Sequence, residues 1–267
     1  ILQYARAHRL YPEELLAIDA VRVGTTVATN ALLTRQGTYL VFVTNKGFKD
    51  SLQIGYHARP DIFALDIHKA QALYSESLEI DCRVDVKGNQ IQALDSTQAK
   101  IQLAEIFKRR PDAARAIALM HSYRYPDDEK SLGEIAREVG FKQVSLSHQI
   151  SQQIKFVGRG DTTCVDAYLT PVLTEYTANL AKELSNSDLQ FIKSDGGLTD
   201  ATSFRGKDAL LSGPAGGVVG AVSSAKRHYL GPILGFDMGG TSTDVSYYDG
   251  QFDRLYETTI SGVRVRT

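Results

Sequence analysis

ILGFDMGGTSTDV, residues Ile233–Val245, opens on apolar residues, passes through Asp237, Gly239 and Gly240, and returns through hydroxyl residues to Val245. This order predicts a β-hairpin whose tip offers bare backbone N–H groups to an anion. Glycine tolerates positive φ at such a tip and lets a phosphate oxygen approach closely. Thr241, Ser242 and Thr243 add hydroxyl donors at the same place. Asp237, at the end of the first strand, is placed to hold Mg²⁺ through water or to orient an attacking water. A carboxylate beside a triphosphate would otherwise be repelled, so a cation is implied. Asp244 begins the return strand. A plain Asp/Gly-rich turn has a similar outline, but Asp-x-Gly-Gly-Thr-x-x-Asp after a strand is much more specific than a lone Gly-Gly.

Upstream, Leu210–Ala221 reads LLSGPAGGVVGA, with Gly213, Gly216, Gly217 and Gly220 followed by small residues. Such a helix can pack very close to a sheet, and its N-terminus can face a phosphate. Close packing alone is an equal reading. The spacing is not the dinucleotide fingerprint, and no Gly-Lys-Ser/Thr follows to make a Walker A loop. Arg22–Leu33, RVGTTVATNALL, is another strand–Gly–hydroxyl–helix entry. Thr25 and Thr26 can cap that helix, and Asn30, a poor interior helix former, is a candidate ligand contact. Arg59-Pro60-Asp61 either stiffens a loop that presents a guanidinium to a carboxylate substrate or forms a surface ion pair. Arg159-Gly160-Asp161 spells an adhesion tripeptide but reads as a turn before a helix. Cys164 beyond it reads as a buried packing thiol.

The bulk numbers set the frame. The chain has 267 residues, 43% hydrophobic and 23% charged, as in soluble globular proteins. Thirty basic residues against 31 acidic ones give a formal charge of −1, so no global field draws nucleic acid or an anionic membrane. Apolar runs such as Tyr39–Val43 are too short to span a bilayer. Cys82 and Cys164 cannot make a disulfide framework, and no Asn-x-Ser/Thr sequon occurs, which fits a cytoplasmic protein. No histidine stands at a zinc-ligand spacing. The first residue is Ile1 and the last strand-like stretch stops at Thr267, the outline of a piece cut from a longer protein.

Alternation between short apolar runs and helical periodicity argues α/β. Strands are expected at Val21–Val23, Tyr39–Thr44, Leu78–Val86, Ile91–Leu94, Ala116–Met120, Gln143–Ser147, Leu189–Lys193 and Ile233–Asp237. Helices are expected at Val27–Arg35, from Asp95 with Gln98 at capping-box spacing to Arg110, and from Pro126 to Gly140. A longer one runs from Thr163 to Leu184, kinked or divided at Pro171. The last forty or so residues read as a β-meander. Gln149–Gly160 is the expected boundary, dividing residues 1–150 from 151–267.

The segments RVGTTVATNALL, ARPDIFALDI, LMHSYRYP, RGDTTCVDAYLTPVL, SDGGL, LLSGPAGGVVGA and GFDMGGTSTDVSYYDG, in this order, resemble the hydantoinase A/5-oxoprolinase family. Arg159–Pro171 and Phe191–Leu198 look more like the 5-oxoprolinase branch than the N-methylhydantoinase or acetone carboxylase branches. The resemblance implies an α/β fold of the actin/hexokinase-like (ribonuclease H-like) kind, here incomplete, with ATP between two lobes. It implies Mg²⁺ and ATP-driven opening of a cyclic amide, 5-oxo-L-proline to L-glutamate. Asp237, Gly239, Gly240, Thr241 and Thr243 match the family's second phosphate loop. Thr25, Thr26, Asn30, Arg59 and Asp61 are the candidate substrate contacts, and Gly213, Gly216 and Gly217 further nucleotide contacts. A hydantoinase B-type partner domain or subunit and a homo-oligomer are open. Full-length members carry an earlier Asp-x-Gly-Gly-Thr loop and a later adenosine-contacting segment that are absent here, so this chain alone is expected to bind nucleotide weakly and turn over nothing. A related hydantoin hydrolase or acetone carboxylase-type subunit is the alternative reaction. An actin-like nucleotide-gated structural protein is the alternative of another class.

Overall fold

The computed structural model describes residues 19–56, 63–67, 69–228, 231–238, 243–253 and 256–266. Its strands in chain order are β1 Ala20–Val23, β2 Leu40–Asn45, β3 Glu76–Ile80, β4 Arg83–Val84, β5 Gln90–Gln92, β6 Ala114–Ile117 and β7 Val144–Leu146. They continue with β8 Asp188–Ile192, β9 Leu198–Asp200, β10 Ile233–Met238, β11 Thr243–Tyr248, β12 Thr258–Ile260 and β13 Val263–Val265.

A four-stranded sheet in the order β3-β2-β6-β7 forms the frame, and every neighbouring pair in it is parallel. Parallel neighbours require crossovers, which here are the helices Ser96–Arg109 and Asp127–Val139 on one face. The pleat sorts the side chains. Leu40 and Phe42 face the cluster that includes the long helix Phe156–Glu183, while Val41 and Val43 face Leu103, Ile106, Leu132 and Ile135. Both helix ends follow their local signals. The Asp95 side chain accepts from Gln98 N at 2.9 Å, and Gly140, at φ 120°, closes the helix that Pro126 opens.

A smaller sheet of order β1-β8-β9 joins the front of the chain to its second half. β1 runs parallel to β8 with Ala20 opposite Asp188 and Val23 opposite Phe191. β10–β11 and β12–β13 are antiparallel hairpins.

Three expectations need correction. The expected strand Ala116–Met120 lies at Ala114–Ile117. It takes in Arg115, which is fully buried, its guanidinium carbon 3.5 Å from the centroid of Phe141. Arg115 Nη1 donates to Ala114 O at 2.9 Å. The expected strand Leu78–Val86 divides into β3 and β4. Asn45 turns the chain there, Nδ2 donating to Cys82 O at 2.5 Å. Finally, the long helix starts at Phe156 and runs unbroken through Pro171, so Arg159-Gly160-Asp161 is helical and not a turn. Its glycines mark close contacts: a Cβ on Gly160 would stand 2.7 Å from Leu52 Cδ2, and one on Gly158 would overlap the Arg266 side chain.

Candidate functional site

The first element of the site is the turn between β1 and helix Val27–Leu33. Thr25 is buried, and its Oγ1 accepts from Val27 N at 3.2 Å. Thr26 stands at the cap position but its side chain makes no capping bond, contrary to expectation. It accepts from Asn30 Nδ2 at 3.4 Å instead, and Asn30 is exposed.

The second element is the start of helix Ser212–Ala225. Leu211 precedes it in the left-handed region at φ 60°, a strained conformation for leucine. Ser212 is fully buried and exchanges two bonds with Thr25. Its Oγ accepts from Thr25 N at 3.3 Å and donates to Thr25 O at 2.8 Å. Leu211 N donates to Thr29 Oγ1 at 3.4 Å. The two helix entries are thus tied together across 187 residues of sequence. Glycine eases the close packing here: a Cβ on Gly213 would lie 3.3 Å from Thr26 Cγ2, and one on Gly216 3.0 Å from Ile192 Cδ1 of β8.

The third element is the β10–β11 hairpin. A Cβ on Gly217 would lie 3.8 Å from Asp237 Oδ2, so that carboxylate faces the glycine side of the helix. Asp237 pairs directly with Asp244, and Met238 with Thr243. Asp237, Thr243 and Asp244 are all exposed. Two carboxylates opposite each other on adjacent strands repel unless a cation or donor lies between them. Among the described residues, no group of three or more His, Cys, Asp and Glu side chains could hold a metal ion. Gly239, Gly240, Thr241 and Ser242 at the tip, and Arg59 and Asp61, lie outside the described residues. Of the expected contacts, Thr25, Thr26, Gly213, Gly216, Gly217 and Asp237 are therefore brought to one place.

Sequence reading missed Ser212, although a serine ahead of a Gly-rich helix was the available signal. It also missed the buried polar centre at the end of β7. Glu129 is fully buried and accepts from Leu119 N at 3.0 Å, Ser147 Oγ at 2.8 Å and His148 N at 2.9 Å. Arg159, equally buried, donates to Ser147 Oγ at 2.9 Å and to Leu119 O at 2.5 Å. Asp166 is buried with Ser145 donating to it at 2.7 Å; burial pushes its pKa up, against that bond. Burial also pushes the Cys164 thiol well up, so it is the packing thiol expected. No helix among the described residues is long and apolar enough to cross a membrane.

Comparison with known proteins decides the lineage. Residues 4–140 match the hydantoinase/oxoprolinase N-terminal region and residues 159–267 match hydantoinase/oxoprolinase. The chain belongs to the hydantoinase/oxoprolinase family. It is 43% identical over 291 residues to a 5-oxoprolinase of Dictyostelium discoideum, covering 94% of this chain and 23% of that protein. It is 40% identical over 299 residues to a 5-oxoprolinase of Saccharomyces cerevisiae, covering 100% of this chain and 23% of that protein. The chain thus spans about a quarter of the length of these relatives. The crystal structure of ATP-dependent caprolactamase from Pseudomonas jessenii superposes with a TM-score of 0.83 at 26% identity, over 99% of this chain and 40% of that one. Nucleotide-free acetone carboxylase superposes at 0.84 with 20% identity, over 98% of this chain and 40% of that one, a likeness of fold alone. The α/β fold of the actin/hexokinase-like kind expected from the sequence is borne out.

Proposed function

We propose that this chain is part of an ATP-dependent cyclic amidase that opens 5-oxo-L-proline to L-glutamate. The observation that carries the reading is the convergence of Gly24–Thr26, Ser212–Gly217 and Asp237 on one glycine-lined cradle. Two helix entries and a carboxylate-bearing hairpin end meet there, a combination suited to holding phosphate groups. Relatives named 5-oxoprolinase at about 40% identity support the substrate.

A five-membered lactam is a poor electrophile because its nitrogen lone pair is delocalised into the carbonyl. Transfer of the γ-phosphoryl group to the lactam oxygen forms one P–O bond, breaks another and releases ADP. Water then adds at the activated carbon and the C–N bond opens to leave an acyl phosphate, which a second water cleaves to the carboxylate and inorganic phosphate. The sum is one ATP and two waters consumed for each glutamate. The exposed pair Asp237 and Asp244 suits Mg²⁺, which is commonly held by one or two carboxylates together with substrate phosphates. Bound there, the ion would neutralise phosphate charge. Asp237 also faces Gly217, where it can orient water or ion against the cradle. The Thr25–Ser212 bonds keep both helix entries in register, which is the positioning such a transfer needs. The two free cysteines, both buried, support a reducing cytoplasmic setting. A hydantoinase B-type region, fused or separate, would complete the assembly.

ADP release by the full-length protein is the test, with 5-oxo-L-proline, N-methylhydantoin, caprolactam and acetone added in turn. Stimulation by 5-oxo-L-proline above the others is expected, with about a hundredfold loss in Asp237→Asn. Preference for another compound moves the reading to another branch, and turnover indifferent to all of them defeats it.

A further inference from the structure

The segment Leu119–Pro126, LMHSYRYP, plays no part in the cradle. It leaves β6 at the carboxyl ends of the parallel strands, the edge where ligands collect in open α/β sheets. Its shape is imposed. His121 stands in the left-handed region at φ 65°, uncommon for a residue with a side chain. Its carbonyl accepts from Arg124 N and Tyr125 N, both at 3.0 Å. Three buried side chains fasten the residues just before it. Glu129 accepts from Leu119 N, Arg159 donates to Leu119 O, and Asn45 Oδ1 accepts from Met120 N at 2.6 Å. A fully buried carboxylate and guanidinium are a costly way to hold a plain turn. Strain held in place by its surroundings marks positions where a side chain is presented for use.

The side chain presented joins a circuit of aromatic and cationic groups from four segments. The His121 and Tyr123 rings lie 6.3 Å apart. The Arg159 guanidinium carbon is 5.6 Å from the Tyr123 centroid and 5.7 Å from that of Phe156. Phe156 meets Phe48 edge-on at 5.8 Å, and the Arg83 guanidinium carbon lies 4.8 Å from the Phe48 centroid. Arg83 closes the circuit through its field: burial, then the charges of Arg83 and Arg159, lower the His121 pKa. Arg159 is fully buried, whereas the other five are half-buried and reach solvent.

Charge in this circuit is not balanced. Arg159 is answered by Glu129 through Ser147, whose Oγ accepts from Arg159 Nε at 2.9 Å and donates to Glu129 at 2.8 Å. Arg83 forms no ion pair among the described residues, and the ring of Phe48 is what holds it. Asp85, the carboxylate whose field reaches His121, is committed to its own turn. It accepts from Lys87 N at 2.8 Å and from Asn89 N and Nδ2 at 2.9 Å. A stacked, half-buried guanidinium with its fork uncommitted is suited to an oxyanion. A neutral imidazole beside it keeps one N–H to give.

We propose that Arg83 and His121 form a binding site for a small oxyanion, separate from the phosphate cradle. The guanidinium takes two of the ligand's oxygens, the His121 N–H supplies a third contact, and Tyr123 and Phe156 border the ligand's body. The site shares no residue with the cradle and stands or falls apart from the catalytic reading.

Phenylglyoxal labels accessible guanidinium groups, and peptide mass spectrometry reads Arg83 by itself. The full-length protein is labelled in chloride, sulfate or benzoate at equal ionic strength, with a non-hydrolysable ATP analogue filling the cradle. Sulfate, benzoate or both should slow labelling at Arg83 while leaving Arg137, exposed at the far end of helix Asp127–Val139, unchanged. Which anion protects tells a tetrahedral ligand from a planar carboxylate. His121→Gly suits the left-handed backbone, so it should keep the parent Tm. It should also raise the half-protecting concentration about tenfold, the worth of one hydrogen bond to a charged group. Labelling of Arg83 indifferent to both anions, or protection identical in His121→Gly, overturns the site. Loss of lactam-stimulated ADP release with this protection intact would instead sink only the catalytic reading.

Discussion

Strand β2, Leu40–Asn45, and strand β10, Ile233–Met238, are each six residues long and rich in apolar side chains. In β2 every residue is buried. In β10, Leu234, Phe236 and Met238 are 70%, 66% and 72% exposed, and their cross-strand neighbours Val245 and Tyr247 share that face at 62% and 66%. The difference lies in connection. β2 lies inside a parallel sheet with the crossover helices on one face and the long helix Phe156–Glu183 on the other. β10 turns straight back into β11, and a hairpin brings no layer with it. The sheet is therefore where stability resides, and the hairpin is where carboxylates can stand free beside the cradle.

The comparison can be broken at several points. Phe42→Ala, at the centre of the sheet, should cost about 4 kcal/mol in denaturant unfolding. A cost below about 1 kcal/mol would mean that the two-faced core is not what holds the chain. Replacing Glu129 with Gln leaves donors unmatched around a buried position and should cost about 3 kcal/mol.

Two carboxylates inside the same frame also predict opposite pH slopes. Burial alone would raise Glu129, but hydrogen bonds led by those from His148 outweigh it and hold it below its ordinary 4.5. The unfolded chain then binds more protons in acid, so stability is complete above pH 4.5 and falls below it. Asp161 is raised from 3.8 to about 7, chiefly by burial. The folded state then holds the extra proton, so its contribution falls as pH rises from about 4 to about 7. Urea midpoints measured against pH should lose the acid limb in Glu129→Gln and the descending limb in Asp161→Asn. The smallest effect belongs to the hairpin: Phe236→Ser should stay within about 0.5 kcal/mol of the parent chain. A loss above about 2 kcal/mol would show that this face is covered after all.

Local signals account for what was legible beforehand. The Asp95 cap, the Pro126 and Gly140 helix limits and the apolar run of β2 are decided by neighbours in sequence, and each holds to within a residue or two. The expected start of the long helix is seven residues late because Arg159, Gly160 and Asp161 resemble a loop by composition. Their helical state depends on distant partners: Leu119 and Ser147 for Arg159, Leu52 for Gly160, and Arg264 for Asp161. The cradle segments were likewise visible one by one. That Ser212 joins two of them was not, because nothing local relates it to Thr25.

One feature of the topology reaches back to the ribosome. Among the described residues β1 pairs with β8, in parallel, with Val21 opposite Leu189. At roughly 5–20 residues added per second, β1 waits on the order of ten seconds or more after its own synthesis before that partner exists. Through that interval the backbone donors and acceptors that β8 will take are open to any passing strand. A strand made early in this chain is thus secured late, and nascent copies are exposed to mispairing there until β8 is in place.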